Sequence, residues 1–308
     1  MRWDRRTFRT GDDEALVALW NRVLTRDPIS PGAFRRQTLL DPNFLPEGCL
    51  IAESEGQAVG FALAMAPRTA GRFTGRPGSG RIAGLGVLPQ ARRQGIGTAL
   101  LEGALAFLKE HGCSLARVAA PEYYAAGVDR EAYGEGIAFL NRRGFVEVGE
   151  AVAMGRQLYD LSWPDDVRAS EAALQDAGIV VRAFEPGDTY PLAEYFRAEF
   201  PTWVEFFSRK LDARDDHDTM VIALDTRAAG CVVGYCQHLD TDHIGPFGVA
   251  QAYRNRGIGS VMLYRLLDAL RQKGYKFAWF GETGRAQPYY ERAGFRVTRT
   301  YAILRRDL

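Results

Sequence analysis

The chain has 308 residues, 46% of them hydrophobic and 25% charged, a balance that suits soluble globular domains and a length that suits two of them. A net charge of +1 gives no strongly basic surface, so nucleic acid is not expected as a partner, and no apolar run approaches the roughly 20 residues of a membrane span. The opening stretch MRWDRRTFRT lacks the apolar centre of a secretion signal, so a cytoplasmic location is expected, and the four cysteines and four histidines show no metal-ligand spacing.

The first half opens with a strand around Trp3 to Phe8 and a helix in DDEALVALWNRVL. The helix start is assigned to Asp12 or Asp13, whose carboxylates suit a helix N-terminus. A second helix follows Pro31, and CLIAESEGQAVGFALAMA reads as a hairpin turned at Gly56. A loop rich in Gly, Pro and Arg, 67–80, leads into a strand ending at Val87. The loop RRQGIGT, 92–98, comes next. It opens a helix with Leu100, Leu101, Ala104, Leu105 and Leu108 on one stripe, and that helix stops at Gly112. A strand in SLARVAA, a short helix containing FLNRRGF at 139–145 and a closing strand follow.

The polar, alanine-rich stretch around Pro164 reads as a linker with a short helix, giving domains at 1–163 and 179–308 joined by 164–178. The second half repeats the order: a strand in IVVRAF, helical stretches between Tyr190 and Leu211, strands in TMVIALD and CVVGYCQHL, and a strand from about His243 to Val249. RNRGIGS at 254–260 lies 162 residues after RRQGIGT. Its helix places Met262, Leu263, Leu266, Leu267 and Leu270 on the matching stripe and stops at Gly274. YYERAGF at 289–295 matches FLNRRGF at an offset of 150, so the first half holds 12 extra residues, in or near PEYYAAGVDREAYGEG. The chain reads as a duplicated domain.

Each copy thus places a basic, glycine-bearing loop between a strand and a helix. The first backbone N–H groups of that helix lack intrahelical acceptors and its dipole favours anions, so phosphate is the natural ligand. Neither copy has the lysine of a P-loop, and Leu100 and Met262 stand where a dinucleotide fingerprint needs its third glycine. A tight turn without a ligand is the bland alternative, weakened by the recurrence of the same flanks.

ARRQGIGTALL and YRNRGIGSVML resemble the acyl-coenzyme A signature, Arg/Gln-x-x-Gly-x-Gly/Ala, of the GNAT superfamily of N-acetyltransferases, and YYERAGF resembles its later aromatic-Tyr-x-x-x-Gly-Phe motif. The resemblance covers nearly the whole chain. It implies an α/β (α+β) fold of two tandem domains, each a mixed, mostly antiparallel twisted sheet flanked by helices. Two parallel strands splay apart to admit the pantetheine arm and an acceptor.

The implied activity is acetyl transfer from acetyl-coenzyme A, without a metal, by direct attack of a primary amine in a ternary complex. The acceptor is a small molecule or peptide, and the protein a monomer or homodimer. By resemblance, Arg254, Arg256, Gly257, Ile258, Gly259 and Ser260 form the second pyrophosphate site, and Arg92, Gln94, Gly95, Ile96, Gly97 and Thr98 the first. Val249, with Val87 as its counterpart, offers the backbone donor to the thioester oxygen.

Tyr290 matches the family's acid, since a phenol of ordinary pKa ~10 is protonated at neutral pH; Leu140 at its first-half equivalent cannot donate a proton. The alternative for Tyr290 is plain packing. His243 is the candidate base, with Asp242 and Glu282 as rivals, and Arg81 stands at its position in the first half. Thr283 departs from the Asn that many members carry seven residues before the acid tyrosine. Catalysis is therefore expected in the second half. A non-catalytic acyl-coenzyme A sensor and an enzyme for longer acyl chains are the alternatives. The acidic run at 211–218 could meet a cationic acceptor or be a solvated loop, and Tyr123, Tyr124 and Tyr133 could close over the first cleft or pack on its outside.

Overall fold

A computed structural model of the chain describes residues 2–68, 78–118, 126–204, 219–238, 242–281 and 283–308. Glu282, Tyr123, Tyr124 and the run at 211–218 lie outside the described residues. The chain forms two compact units, Met1–Val152 with Arg299–Leu308, and Ala153–Thr298.

The first unit contains β1 (Asp4–Thr7), α1 (Asp13–Val23), a helical turn α2 (Pro31–Phe34), β2 (Cys49–Ser54), β3 (Gln57–Met65), β4 (Ser79–Val87), α3 (Ile96–Glu110), β5 (Leu115–Val118), β6 (Val128–Asp129), α4 (Gly134–Asn141) and the start of β7 (Val146–Gln157). Strands β1 to β4 pair antiparallel in chain order, whereas β4 and β5 run parallel, joined through α3. The sheet is completed from the far end of the chain: Leu304–Asp307 pair with β5, and Tyr301 and Ala302 with β6.

The second unit contains α5 (Asp165–Asp176), β8 (Ile179–Ala183), α6 (Thr189–Glu199), β9 (Thr219–Asp225), β10 (Cys231–His238), β11 (Ile244–Val249), α7 (Ile258–Gln272), β12 (Phe277–Phe280), α8 (Gln287–Arg292) and the start of β13 (Arg296–Asp307). Its strands run β8-β9-β10-β11, all antiparallel. A parallel bridge joins His243 to Trp279, and β12 pairs antiparallel with Met154–Gln157 of β7. Each unit is thus a mixed, mostly antiparallel sheet with helices packed on it, as the resemblance implied.

The periodic stripes read from the sequence are the helix faces that meet the sheets. Leu100, Leu101, Ala104, Leu105 and Leu108 are buried in α3, as are Met262, Leu263, Leu266, Leu267 and Leu270 in α7. Burying a leucine side chain contributes about 2 kcal/mol, and truncation to alanine, which also leaves a cavity, costs about 2–5 kcal/mol. The helices approach β4 closely because it carries glycine on both faces. A Cβ on Gly80 would lie 2.5 Å from Leu108, and one on Gly84 2.5 Å from Trp20, which itself stacks on Phe61 at 5.2 Å.

Helix α1 starts where expected, with Asp12 at the N-cap position and Asp13 in the first turn, but Asp12 makes no side-chain cap bond to it. Its carboxylate instead accepts from both Arg6 Nη atoms, at 2.6 and 2.9 Å, and from Arg9 N–H at 2.6 Å. A bidentate ion pair with arginine outcompetes a single backbone N–H for the same carboxylate, and Arg6 holds the Asp12 carboxyl below its ordinary range. The device recurs in the second unit, where Asp188 accepts from Arg182 at 2.6 and 2.8 Å and from Glu185 N–H at 2.8 Å. The duplication therefore reaches beyond the glycine loops.

Candidate functional site

The two loops adopt the same backbone. After a single 3₁₀ turn, Arg93 and Asn255 take left-handed conformations at φ 62° and 63°, and Gly95 and Gly257 do so at 82° and 83°. Arg92 Nε donates to Val87 O at 3.2 Å and Arg254 Nε to Val249 O at 3.0 Å, pinning each loop to the strand before it. The first intrahelical bonds are Ala99 N–H to Gly95 O and Val261 N–H to Gly257 O. The amides of Ile96, Gly97 and Thr98, and of Ile258, Gly259 and Ser260, therefore precede each helix ladder as a cradle of donors. Arg256 packs over Tyr253, 4.9 Å from the ring centroid. The Gln94 carbonyl receives Trp3 Nε1–H at 3.3 Å.

The parallel strands separate next to each loop. Among the described residues, β4 and β5 pair from Ser79 to Arg81 in the first unit, and in the second the parallel pairing is the His243–Trp279 bridge. Beyond these points β4 runs on to Val87 and β11 to Val249. Ala250 N–H donates to Val233 O, and Val249 stands opposite Gly234. Because bonded and non-bonded pairs alternate along an antiparallel ladder, the N–H of Val249 points away from β10 into the opening. Leu88 N–H to Val59 O gives Val87 the same orientation in the first unit.

Tyr290 lies across the second opening, its ring 4.2 Å from Phe280 of β12 and 6.2 Å from Phe247 of β11. It is buried, and desolvation pushes its phenol above the ordinary value, so it stays protonated at neutral pH. His243 is packed 4.4 Å from the Trp279 ring, and desolvation pushes its imidazole down to about 4 against the opposing charge of Asp242. It is therefore neutral at neutral pH. Asp242 accepts from Trp279 Nε1–H at 2.8 Å, so its carboxylate is engaged in holding that ring. Thr283 Oγ1 is buried without a hydrogen-bond partner among the described residues.

The first unit has an open cleft of about 1290 Å³, lined by Val23, Gly86, Val87, Gly97, Thr98 and Leu140 among others. Leu140 is buried, and Arg81 donates to Ser79 Oγ at 2.8 Å within β4. Tyr133 also lines this cleft, its oxygen accepting Arg26 N–H at 3.0 Å. Beside it Arg299 Nη1 and Nε meet Asp27 and Asp129 at 2.7 and 2.6 Å. Neither Asp27 nor Arg299 stood out in the sequence, because their meeting depends on the returning end of the chain.

The residues fit a coenzyme pyrophosphate in both units. At Gly97 and Gly259 a Cβ would have its nearest neighbours at 3.5 and 3.4 Å, leaving the cradle open to an approaching ligand. Tyr289 places its buried hydroxyl beside Gly259, next to the Ser260 side chain. Burial pushes that phenol up, so it keeps its proton for an anionic acceptor.

The sequence matches the Acetyltransferase (GNAT) family over residues 15–138 and 181–295. Among curated proteins none matches. Solved structures share the fold. The glucosamine N-acetyltransferase region of a fungal multi-domain GH3 beta-N-acetylglucosaminidase superposes with a TM-score of 0.79 at 19% identity, covering 99% of this chain. The chain spans 38% of the length of that protein. A GCN5-related N-acetyltransferase from Sphaerobacter thermophilus gives 0.70 at 20% identity, covering 99% of this chain and 95% of the other. A tandem GNAT protein from the clavulanic acid biosynthesis pathway gives 0.68 at 16% identity, covering 99% and 98%.

Proposed function

Because the chain belongs to the Acetyltransferase (GNAT) family, we propose that it transfers an acetyl group from acetyl-coenzyme A to a primary amine, with the chemistry in the second half, residues 179–308. The observation that carries this reading is the asymmetry of the clefts: a buried, protonated Tyr290 between the splayed strands of one, and Leu140 at the same position of the other.

Acetyl-coenzyme A supplies an activated acyl thioester. Around it, the cradle of Ile258, Gly259 and Ser260 amides with Arg254 and Arg256 holds the pyrophosphate, fixing the reach of the arm into the opening. The N–H of Val249 donates to the carbonyl oxygen, where negative charge develops. Tyr290 O–H gives its proton to the departing sulfur, and the neutral His243 accepts the proton that the amine sheds. The acceptor is a small-molecule or peptide amine.

The first half, 1–163 in the sequence reading, binds coenzyme A through Arg92 to Thr98 without turnover. A second reading, in which the chain senses acyl-coenzyme A and transfers nothing, has Leu140 beneath the first cleft in its favour. Consumption of the thioester with a panel of amines separates the two: release of free thiol that depends on the amine and is lost in Tyr290→Phe supports the enzyme. Full activity of Tyr290→Phe places the chemistry elsewhere.

A further inference from the structure

Three residues beyond Leu140 stands Arg143, and at the matching offset of 150 the second copy has Ala293. The Arg143 guanidinium lies 3.8 Å from the centroid of the Phe139 ring. Its Nη1 donates to Phe139 O at 3.3 Å and its Nη2 to Thr98 Oγ1. Thr98 is the third residue of α3, and its amide belongs to the donor cradle. Phe139 itself lies 3.5 Å from where a Gly97 Cβ would be. Stacking and two hydrogen bonds thus fix a permanent cation beside the first turn of the helix, its rotamer entropy spent before any ligand arrives.

The guanidinium carries five N–H donors, of which these bonds use two, and its Nε is buried with no partner among the described residues. Arg143 also lines the 1290 Å³ cleft, together with Arg92, Arg93 and Arg142. In the second copy the place of Phe139 is taken by Tyr289, whose neutral hydroxyl is the polar group at Gly259. Ala293 adds no charge there. The two cradles therefore share a backbone and differ in their cations: the second has Arg256 where the first has Gln94, and the first has Arg93 in place of Asn255 and the fixed Arg143 in place of Ala293.

We propose that Arg143 is a diphosphate ligand of the first cleft, a contact that Ala293 cannot make in the second. The inference rests on the reading that both loops cradle the coenzyme pyrophosphate. Charge-assisted, preorganised arginine bonds to phosphate are about twice as strong as neutral ones, and they weaken with salt in a way that packing does not.

The test titrates coenzyme A into the full-length chain carrying Gly259→Glu, which silences the second cradle, with and without Arg143→Gln, at low and high salt. Arg143→Gln is expected to weaken binding by tenfold or more and to flatten its salt dependence, and Arg143→Lys to return part of the affinity. A purely structural role would lower affinity with the salt dependence intact and without rescue by lysine, overturning the proposal. Affinity within twofold of the parent overturns it too. Loss of all binding in Gly259→Glu, when the native chain binds one equivalent, overturns it while leaving acetyl transfer by the second half standing. Absence of coenzyme A binding in the native chain overturns the shared reading of both loops.

Discussion

Tyr290 separates binding from chemistry at the level of a single hydroxyl. Removing it in Tyr290→Phe keeps the ring contacts with Phe280 and Phe295, so coenzyme A affinity should hold while turnover falls by about 10² to 10⁴, the range of a positioned acid. Steady-state kinetics beside calorimetry measures both. Leu140→Ala, in contrast, should leave acetyl transfer unchanged in a folded protein.

His243 should contribute a measurable pH dependence. Its folded value of about 4 lies below the ordinary 6.5, so between those values the unfolded chain binds a proton that the folded chain refuses. The stability tied to its neutral form is complete above about pH 6.5 and is lost as the pH falls toward 4. Denaturant melts of His243→Gln should accordingly lose less stability between pH 7 and 4.5 than the native chain. If His243 is the base, the acid limb of kcat/KM falls near pH 4 and vanishes in the same variant; a limb that stays in place excludes it.

At the scale of the element, strand, loop and helix recur with one backbone in both copies, and the loop glycines have distinct duties. Gly257 sits at φ 83°, where a Cβ would also come within 2.9 Å of Ser170, so Gly257→Ala should cost about 1–2 kcal/mol of stability in urea melts from the left-handed backbone alone. Gly259 lies in helical backbone with room for a Cβ. Gly259→Glu should therefore fold normally yet lose coenzyme A binding at the second loop, because its carboxylate meets the pyrophosphate; unchanged calorimetric titration would refute the cradle.

This much was legible in the sequence, because the 162-residue offset repeats both the turn residues and the stripe that buries the following helix. The contrast between Arg143 and Ala293 was equally present, in motifs aligned at 150, but its meaning required knowing that the aromatic before the acid position lies against the loop. The Arg6–Asp12 pair was hidden for a different reason. A carboxylate ahead of a helix looks the same whether it caps the helix or pairs with an arginine six residues back.

For the molecule as a whole, the last strand governs the first unit. The alternation in β13 tells which side chains are buried but not which strand lies alongside, so its pairing with β5 and β6 could not be read from the pattern. Arg299 anchors it between Asp27 and Asp129. Burial opposes the charge of Asp129, yet the Ala132 N–H and Arg299 hold its carboxyl below the ordinary range. Asp129→Ala should cost roughly 1–3 kcal/mol, because Arg299 keeps Asp27 while its Nε and the N–H groups of Glu131 and Ala132 lose their acceptor. A chain ending at Thr298 should show early loss of fluorescence from Trp3 and Trp20 on heating, and a synthetic peptide of residues 299–308 should restore it. Thermal scans with and without the peptide measure this, and an unshifted first transition would contradict the pairing.

That return has a consequence in time. On the ribosome the first unit emerges with β5 still lacking its antiparallel neighbour, and all of Ala153–Thr298 must be synthesised before the missing strand exists. At roughly 5–20 residues per second the wait is on the order of ten seconds, long enough for an open strand edge to meet another nascent chain. Yield in the cell should thus depend on translation speed through the second half, and on chaperones that shield that edge, more steeply than equilibrium stability alone would suggest.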